Sequence, residues 1–414
     1  MLIEPEAGGN APEAPISGDS AAPRILLYSH DTYGLGHIRR ARTIAMALAA
    51  RFEGASILIA TGSPIVGRFD FPPGVDFVRI PGVVKLPSGD YASESMKLDI
   101  AQTVALRAQI LRATAEAFAP DILIVDKEPT GLRGEMLPTL DLLRSRGTRV
   151  VLGLRDVLDE ASALRTEWMR KGASEAVERY YDEIWIYGLP EIFEPLAGIN
   201  LPEAVQARIR YTGYLRREAP DEWPEPHMGE RIPSGSVLVT PGGGGDGEAL
   251  IDWVLRAYES DATLSVPALI VFGPFLNAER RVEFERRAHR FRTIRTRNFD
   301  SRLERLMIEA RGVIAMGGYN TFCEILSFDK PAAIAPRITP RMEQYLRVEA
   351  AEKIGLVRML PPVRDGEDQP DPAAMADAIR ALDSQPLPSA AKIDGLLDGL
   401  DRVSALTHAA LIDR

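Results

Sequence analysis

The chain contains a single cysteine, Cys323. A disulfide framework within it and any cysteine-based zinc site are thereby excluded, and Cys323 reads as a small, inert core residue. Five histidines are scattered along the sequence without an HxxxH or HxH pair. No apolar run reaches the length needed to span a bilayer, and the first residues lack the basic-then-apolar pattern of a secretory signal. Positive charge is not in excess: 49 Lys and Arg against 59 Asp and Glu give a formal net charge of −10, which argues against a dedicated nucleic-acid binder. No G-x-x-x-x-G-K-[ST] phosphate loop occurs. These absences leave a soluble cytoplasmic protein as the expectation.

What is present is globular. The 414 residues are 45 % hydrophobic and 26 % charged, too many for one ordinary core, so two domains are expected. Residues 1–23, rich in Ala, Pro, Gly, Ser and Glu, read as a disordered tail. From Arg24 the pattern alternates short apolar strands with helical stretches. Strands are expected at 24–30, 56–60, 121–125, 149–154 and 183–187. A helix is expected over 38–52, where Ile38, Ala41, Ala45, Leu48 and Phe52 recur at three- and four-residue spacing. The stretch 214–233 breaks the rhythm with four prolines, many charges and no apolar period, and reads as an interdomain linker. The rhythm then restarts, with strands at 236–240, 267–272, 293–297, 312–316 and 332–335 and a final helix within 395–412. The expected fold class is therefore α/β: two Rossmann-like, doubly wound parallel sheets, at 24–213 and 234–394, with a C-terminal helix at 395–414 packing back across the junction.

Three glycine turns each follow an apolar strand: Gly34-Leu35-Gly36-His37, Gly242 to Gly245, and Gly317-Gly318. The C-terminal edge of a parallel sheet is where open α/β folds bind ligands. The first turn is not a dinucleotide fingerprint, because G-x-G is followed by His37 and Ile38. After Gly317-Gly318 a helix opens on Asn320 and Thr321, with Glu324 a turn further on. A helix N-terminus suits phosphate, and Glu324 is placed for vicinal hydroxyls such as those of a ribose. The polar group Arg341, Glu343, Gln344 and Arg347 follows. Diphosphate, ribose and a second polyol in one segment spell a nucleotide sugar.

On the G-L-G-H turn, the glycine loop 242–245, and the G-G-Y-N-T-x-x-E and E-Q-Y elements, the chain resembles GT-B glycosyltransferases of the MurG type from Arg24 to about Leu360. It resembles more closely still a bacterial group of predicted glycosyltransferases. The resemblance implies a C-terminal domain holding a donor, with UDP as the carrier. Gly317, Gly318, Asn320 and Thr321 would lie at the diphosphate, Glu324 at the ribose, and Glu343 with Gln344 at the sugar. Gly34, Gly36 and His37 would face them from the N-terminal domain. The loop Gly242-Gly243-Gly244-Gly245 departs from the usual Gly-Gly-Ser type, and Lys127, Glu128 and Arg155 add charge to the acceptor-side loops. Outside the donor, the acceptor stays open, a lipid-linked sugar or a glycan among the choices.

Displacing a diphosphate from an anomeric carbon requires a stabilised leaving group and a base. The chain has no Asp-x-Asp pair of the kind that holds a cation in metal-dependent transferases, so neither metal nor cofactor is expected, and Arg341 and Arg347 are the candidate leaving-group cations. His37, Asp126 and Asp156 are the candidate catalytic residues, the first by side-chain type and the others because each directly follows an apolar strand. The alternatives are structural: a helix-capping His37, a surface pair for Asp126 with Lys127 or Arg133, and an N-cap or Arg155 pair for Asp156. Arg39, Arg40 and Arg42 read either as a solvated basic turn or as contacts to an anion. A nucleotide-sugar hydrolase, suggested by the likeness of Gly34, Gly36, His37 and Arg40 to a hydrolase turn, is a second reading; a non-catalytic nucleotide-sugar-binding protein is a third. The run Ile65, Val66, Phe69 and Phe71 reads as core packing or as a peripheral membrane contact.

Overall fold

A computed structural model describes residues 22–30, 35–86, 90–219, 233–243, 245–298, 300, 303–362 and 369–412. The expected tail lies almost wholly outside them, as do residues 220–232 of the expected linker. In chain order the strands are β1 (Arg24–Ser29), β2 (Ser56–Thr61), β3 (Val75–Arg79), β4 (Val83–Lys85), β5 (Tyr91–Ser93), β6 (Ile122–Asp126), β7 (Arg149–Arg155), β8 (Glu183–Tyr187) and β9 (Ile209–Tyr211). Then come β10 (Val237–Thr240), β11 (Ala268–Val271), β12 (Ile294–Arg297), β13 (Gly312–Ala315), β14 (Ala332–Ile334) and β15 (Arg358–Met359). Among the described residues the first sheet has the order β3-β2-β1-β6-β7-β8-β9 and the second β12-β11-β10-β13-β14-β15, every pairing parallel. β4 and β5 form a separate antiparallel hairpin.

The expected strands all form, most of them as apolar runs buried on both faces; β12, at a sheet edge, has Ile294 buried and Arg295 exposed. Along β1, Ile25 and Leu27 enter one core while Leu26 and Tyr28 enter the core on the opposite face. The strands not foreseen are β3, β9, β15 and the hairpin. They are short, lie at sheet edges or outside the main sheets, and present half-exposed residues with no apolar run.

Strand order reverses between β1 and β6 in the first sheet and between β10 and β13 in the second. These two crevices are where ligands bind in doubly wound sheets. The helix Tyr319–Ser327, which follows β13, lies between the domains with Tyr319 through Leu326 all buried. The Tyr319 hydroxyl donates to the Tyr187 carbonyl at 2.9 Å, and the Tyr319 ring stacks on Tyr214 at 6.0 Å. One hydrophobic core therefore runs through the junction without a break.

The junction extends into residues expected to be linker. Tyr214 and Leu215 are fully buried, and the Tyr214 amide donates to Leu396 O at 2.8 Å, just before the C-terminal helix Gly399–Ile412. That helix packs back against the helix Gly36–Arg51, with His408 and Phe52 rings 6.2 Å apart. Further along, Arg217 donates to Asn320 Oδ1 at 2.7 Å and from its amide to Ser327 Oγ at 2.8 Å. The run at Ile65–Phe71 is core packing: Val66 is buried, and Phe69 and Phe71 pack against the core. Among the described residues no helix is long and apolar enough to cross a membrane.

The strongest polar tie is Asp156 to Arg347. The guanidinium meets the carboxylate at 2.5, 2.8 and 3.1 Å, both side chains are almost completely buried, and Nη1 also donates to Gly317 O at 3.0 Å. Removing one partner of a buried pair leaves the other charge uncompensated. Asp156→Ala is therefore expected to cost about 3–5 kcal/mol in urea unfolding; a loss below about 1 kcal/mol would show that the pair does not clamp the domains.

Candidate active site

The first turn of the helix Gly36–Arg51 carries His37 over the end of β6, because β1 and β6 are neighbours and Asp126 is the last residue of β6. His37 Nδ1 hydrogen-bonds Asp126 Oδ2. Arg40, one turn on and 1 % exposed, grips the same carboxylate through Nε at 2.8 Å and Nη2 at 2.6 and 2.7 Å. Asp126 is thus held ionised: burial alone would raise its pKa, but Arg40 and His37 outweigh burial and hold it well below the usual carboxylate range. A carboxylate on Nδ1 selects the tautomer with the proton there and leaves the lone pair on Nε2. Burial, opposed in part by Asp126, lowers the His37 pKa to about 4, so the ring is neutral at pH 7.

Across the cleft, Gly317 and Gly318 join β13 to the helix Tyr319–Ser327. Gly317 is required by its own fold: its φ is +83°, and a Cβ would lie 2.6 Å from Val348 Cγ2. A Cβ on Gly318 would meet open space, so backbone is exposed to a ligand there. The helix has no side-chain cap, which leaves its first N–H groups for an anion. Asn320 Nδ2 donates to Gly36 O at 3.0 Å, and Thr321 is buried in the same turn. The two candidate diphosphate turns, at Gly36 and at Gly317-Gly318, therefore face each other.

Glu324 differs from its expected setting. It is fully buried, one oxygen pairs with Arg39 of the first domain, and Oε2 has no hydrogen-bond partner among the described residues. Burial raises its pKa, with Arg39 pulling in the opposite direction. Glu343 has the same half-satisfied state: one oxygen accepts from Arg337 at 2.8 Å while buried Oε2 has no partner among the described residues. Gln344 Oε1 accepts from the Arg337 amide at 3.2 Å. Arg341 spans the domains to Asp159 at 3.3 Å and Glu167 at 2.9 Å.

A narrow cavity of about 40 Å³ lies where the helix start at Leu35 and Arg39 meets Gly242, Gly243, Val271 and Asp300. Gly243 lies against Leu35 so closely that a Cβ would stand 2.8 Å from it. Gly245 follows in the same turn, part-buried. Gly34 and Gly244 lie outside the described residues. A second cavity, of about 500 Å³, opens in the first domain between His30, Tyr91, Thr130, Leu132, Arg133 and Arg170. Its His30 ring stands edge-on to that of His37 at 5.7 Å.

No protein-family model and no curated protein sequence matches the chain. Solved structures do. LpCGTa in complex with UDP superposes with a TM-score of 0.63 at 17 % identity, over 95 % of this chain and 100 % of its own. The glycotransferase of kitacinnamycin gives 0.62 at 16 %, covering 95 % and 100 %. Acinetobacter baumannii MurG gives 0.55 at 14 %, covering 94 % and 100 %. The fold is GT-B. The MurG resemblance read from the sequence is thus met at the level of GT-B architecture, which the other two structures share.

Within this GT-B frame the structure assembles His37 with Asp126, and Gly36 with Gly317, Gly318 and Asn320. It gives Asp156 to Arg347 instead of to Arg155 or a helix cap, and Asp126 to His37 and Arg40 instead of to Lys127 or Arg133. Arg40 is no solvated residue. Sequence reading missed His30 as part of the cleft, and it offered Arg39 and Arg40 only as a solvated turn, contacts to an anion or, for Arg40, part of a hydrolase-like turn. Their signal was position: His30 ends the strand that leads into the glycine turn, and the two arginines share the helix turn of His37.

Folded His37 binds its proton near pH 4, an unfolded histidine near 6.5. Between those values the unfolded chain holds more protons, so acid favours unfolding there, and the full contribution is present above 6.5. On this basis His37→Gln is expected to flatten the fall in unfolding free energy from pH 6.5 to 4 by about 3 kcal/mol. An unchanged slope in equilibrium denaturation would show that His37 is not buried neutral.

Proposed function

We propose that the protein is a glycosyltransferase that moves a hexosyl group from a nucleotide sugar, with UDP as the carrier, to an acceptor hydroxyl with inversion. The observation that carries the reading is the pairing of His37 with Asp126 beside a glycine-turn helix start in a GT-B cleft. His37 Nε2 takes the acceptor proton while that oxygen attacks the anomeric carbon. The bond from that carbon to the phosphate oxygen breaks on the opposite face, and its electron pair leaves with the nucleoside diphosphate. Asp126 keeps the ring oriented and stabilises the imidazolium that forms, and Arg40 fixes Asp126. The uncapped helix at Gly318 receives the diphosphate, and no metal is assigned a part in the step, consistent with the lack of an Asp-x-Asp pair.

Two orphaned carboxylate oxygens support a polyol ligand. Glu324 Oε2 and Glu343 Oε2 are buried acceptors without donors, and ribose and hexose hydroxyls would supply them. A nucleotide does not fit a cavity of about 40 Å³. The domains must open for the donor, breaking the Arg39–Glu324 contact, and close again over it. The 500 Å³ cavity beside His30 has room for a sugar-sized acceptor, which favours transfer over hydrolysis.

Calorimetry with UDP, TDP and their sugars is expected to show selective binding that Glu324→Ala weakens by about 1–3 kcal/mol; no binding by any nucleotide would overturn the proposal. Single-turnover assays across a panel of acceptor sugars are expected to show His37→Ala lowering the chemical step by about 10²–10⁴-fold, with donor affinity retained. Equal rates in the two proteins would remove His37 from the mechanism.

A further inference from the structure

The two arginines that the sequence offers for the leaving group, Arg341 and Arg347, are both committed to carboxylates of the first domain, at Asp159 with Glu167 and at Asp156. Lys127 and Arg155, at the C-terminal ends of the adjacent strands β6 and β7, stand differently. The Lys127 amide donates to Gly153 O at 2.8 Å, which ties the two strand ends together. Arg155 makes no ion pair among the described residues, and its Nε is buried without a hydrogen-bond partner. Lys127 Nζ is 3.5 Å from Glu128, a carboxylate already held by Lys171 at 2.6 Å. Lys127 sits at a φ of +68°, a left-handed conformation that is uncommon outside glycine and turns its strand end out of the sheet path. Both cations act electrostatically on Glu343, whose own Oε2 is the orphan across the cleft.

A buried donor and a buried acceptor that lie in each other's field without bonding mark a gap that a ligand completes. Its chemistry is mixed: a hydroxyl for Glu343, an anion for Arg155 and Lys127. Arg155 also lies in the field of Arg347, which bonds Gly317 O beside the glycine turn proposed for the diphosphate. We propose that Lys127 and Arg155 form an anion seat on the first domain that binds an anionic oxygen of the donor, the leaving phosphate or a carboxylate on the sugar. The proposal rests on the nucleotide-sugar reading above. With the phosphate as occupant, the seat faces the oxygen that takes the electron pair when the anomeric bond breaks, so it stabilises the charge that develops. Burial, with Arg341 and Arg155 nearby and Glu128 opposing, lowers the Lys127 pKa to about 8.

The test is a ligand ladder. Wild type, Lys127→Met, Arg155→Met and Arg155→Lys are titrated calorimetrically with uridine, UMP, UDP, UDP-glucose and UDP-glucuronate, with folding checked by near-UV circular dichroism. For a phosphate occupant the preference for UDP over UMP falls about tenfold or more in the Met variants while UMP affinity stays, and Arg155→Lys restores part of it. For a carboxylate occupant that preference stands, and the preference for UDP-glucuronate over UDP-glucose collapses instead. Both preferences unchanged in folded variants would overturn the proposal, as would a parallel loss of uridine and UMP binding, which marks a structural role. Failure of UDP to bind wild type while TDP binds would move the same ladder to thymidine nucleotides, with TDP over TMP as the deciding ratio. Failure of both series would overturn the donor reading and this seat with it.

Discussion

Charge burial between the two sheets is the constraint on which the rest of the molecule depends. Two aspartates, Asp126 at the end of β6 and Asp156 directly after the adjacent β7, are both buried, and neither can stay there ionised without a partner. Asp126 is satisfied from within its own domain by His37 and Arg40, and Asp156 from the other domain by Arg347. The Tyr319 ring lies between the two guanidiniums, 5.7 Å from Arg40 and 5.6 Å from Arg347. Cation–π contacts of this kind are worth more when desolvated. One aspartate therefore holds His37, and its neighbour fixes the domain opposite it.

This arrangement links the stability of the domain junction to the proposed site. The helix Tyr319–Ser327 is buried and carries both the apolar junction and the uncapped helix start proposed for the diphosphate. Moving the domains apart exposes Tyr319, Glu324 and the Asp156 pair together. The closed state is therefore well held without a ligand, and Arg39 on Glu324 occupies part of the place proposed for the ribose. On the proposed function, donor binding supplies contacts that replace these, which favours a ligand rich in both hydroxyls and anionic oxygens over a simple anion.

The structure also separates glycines that look alike in sequence. Gly317 is needed for a left-handed backbone and for packing under Val348, whereas Gly318 opens onto the cleft. Gly243 is pressed against Leu35 of the other domain. A glycine turn after a strand is thus a mixed signal. What gives it meaning here is that the turns fall at the strand-order reversals of both sheets.

The sequence by itself determined the two α/β units, the parallel strands of their centres and the set of residues gathered at the strand ends. Those properties follow from apolar runs and glycine turns, which are local. The edge strands β3, β9 and β15 escaped it because a half-exposed strand of two to five residues leaves no apolar run. Tyr214 and Leu215 escaped it because their burial comes from the C-terminal segment nearly two hundred residues later. The same holds for the charged residues. Nothing local distinguishes Asp126 from Asp156, or Arg347 from Arg155. Only the tertiary structure decided which aspartate meets a histidine, which arginine crosses the cleft and which is left without a carboxylate. Pairing of buried charge is a property of two segments brought together, and no single segment encodes it.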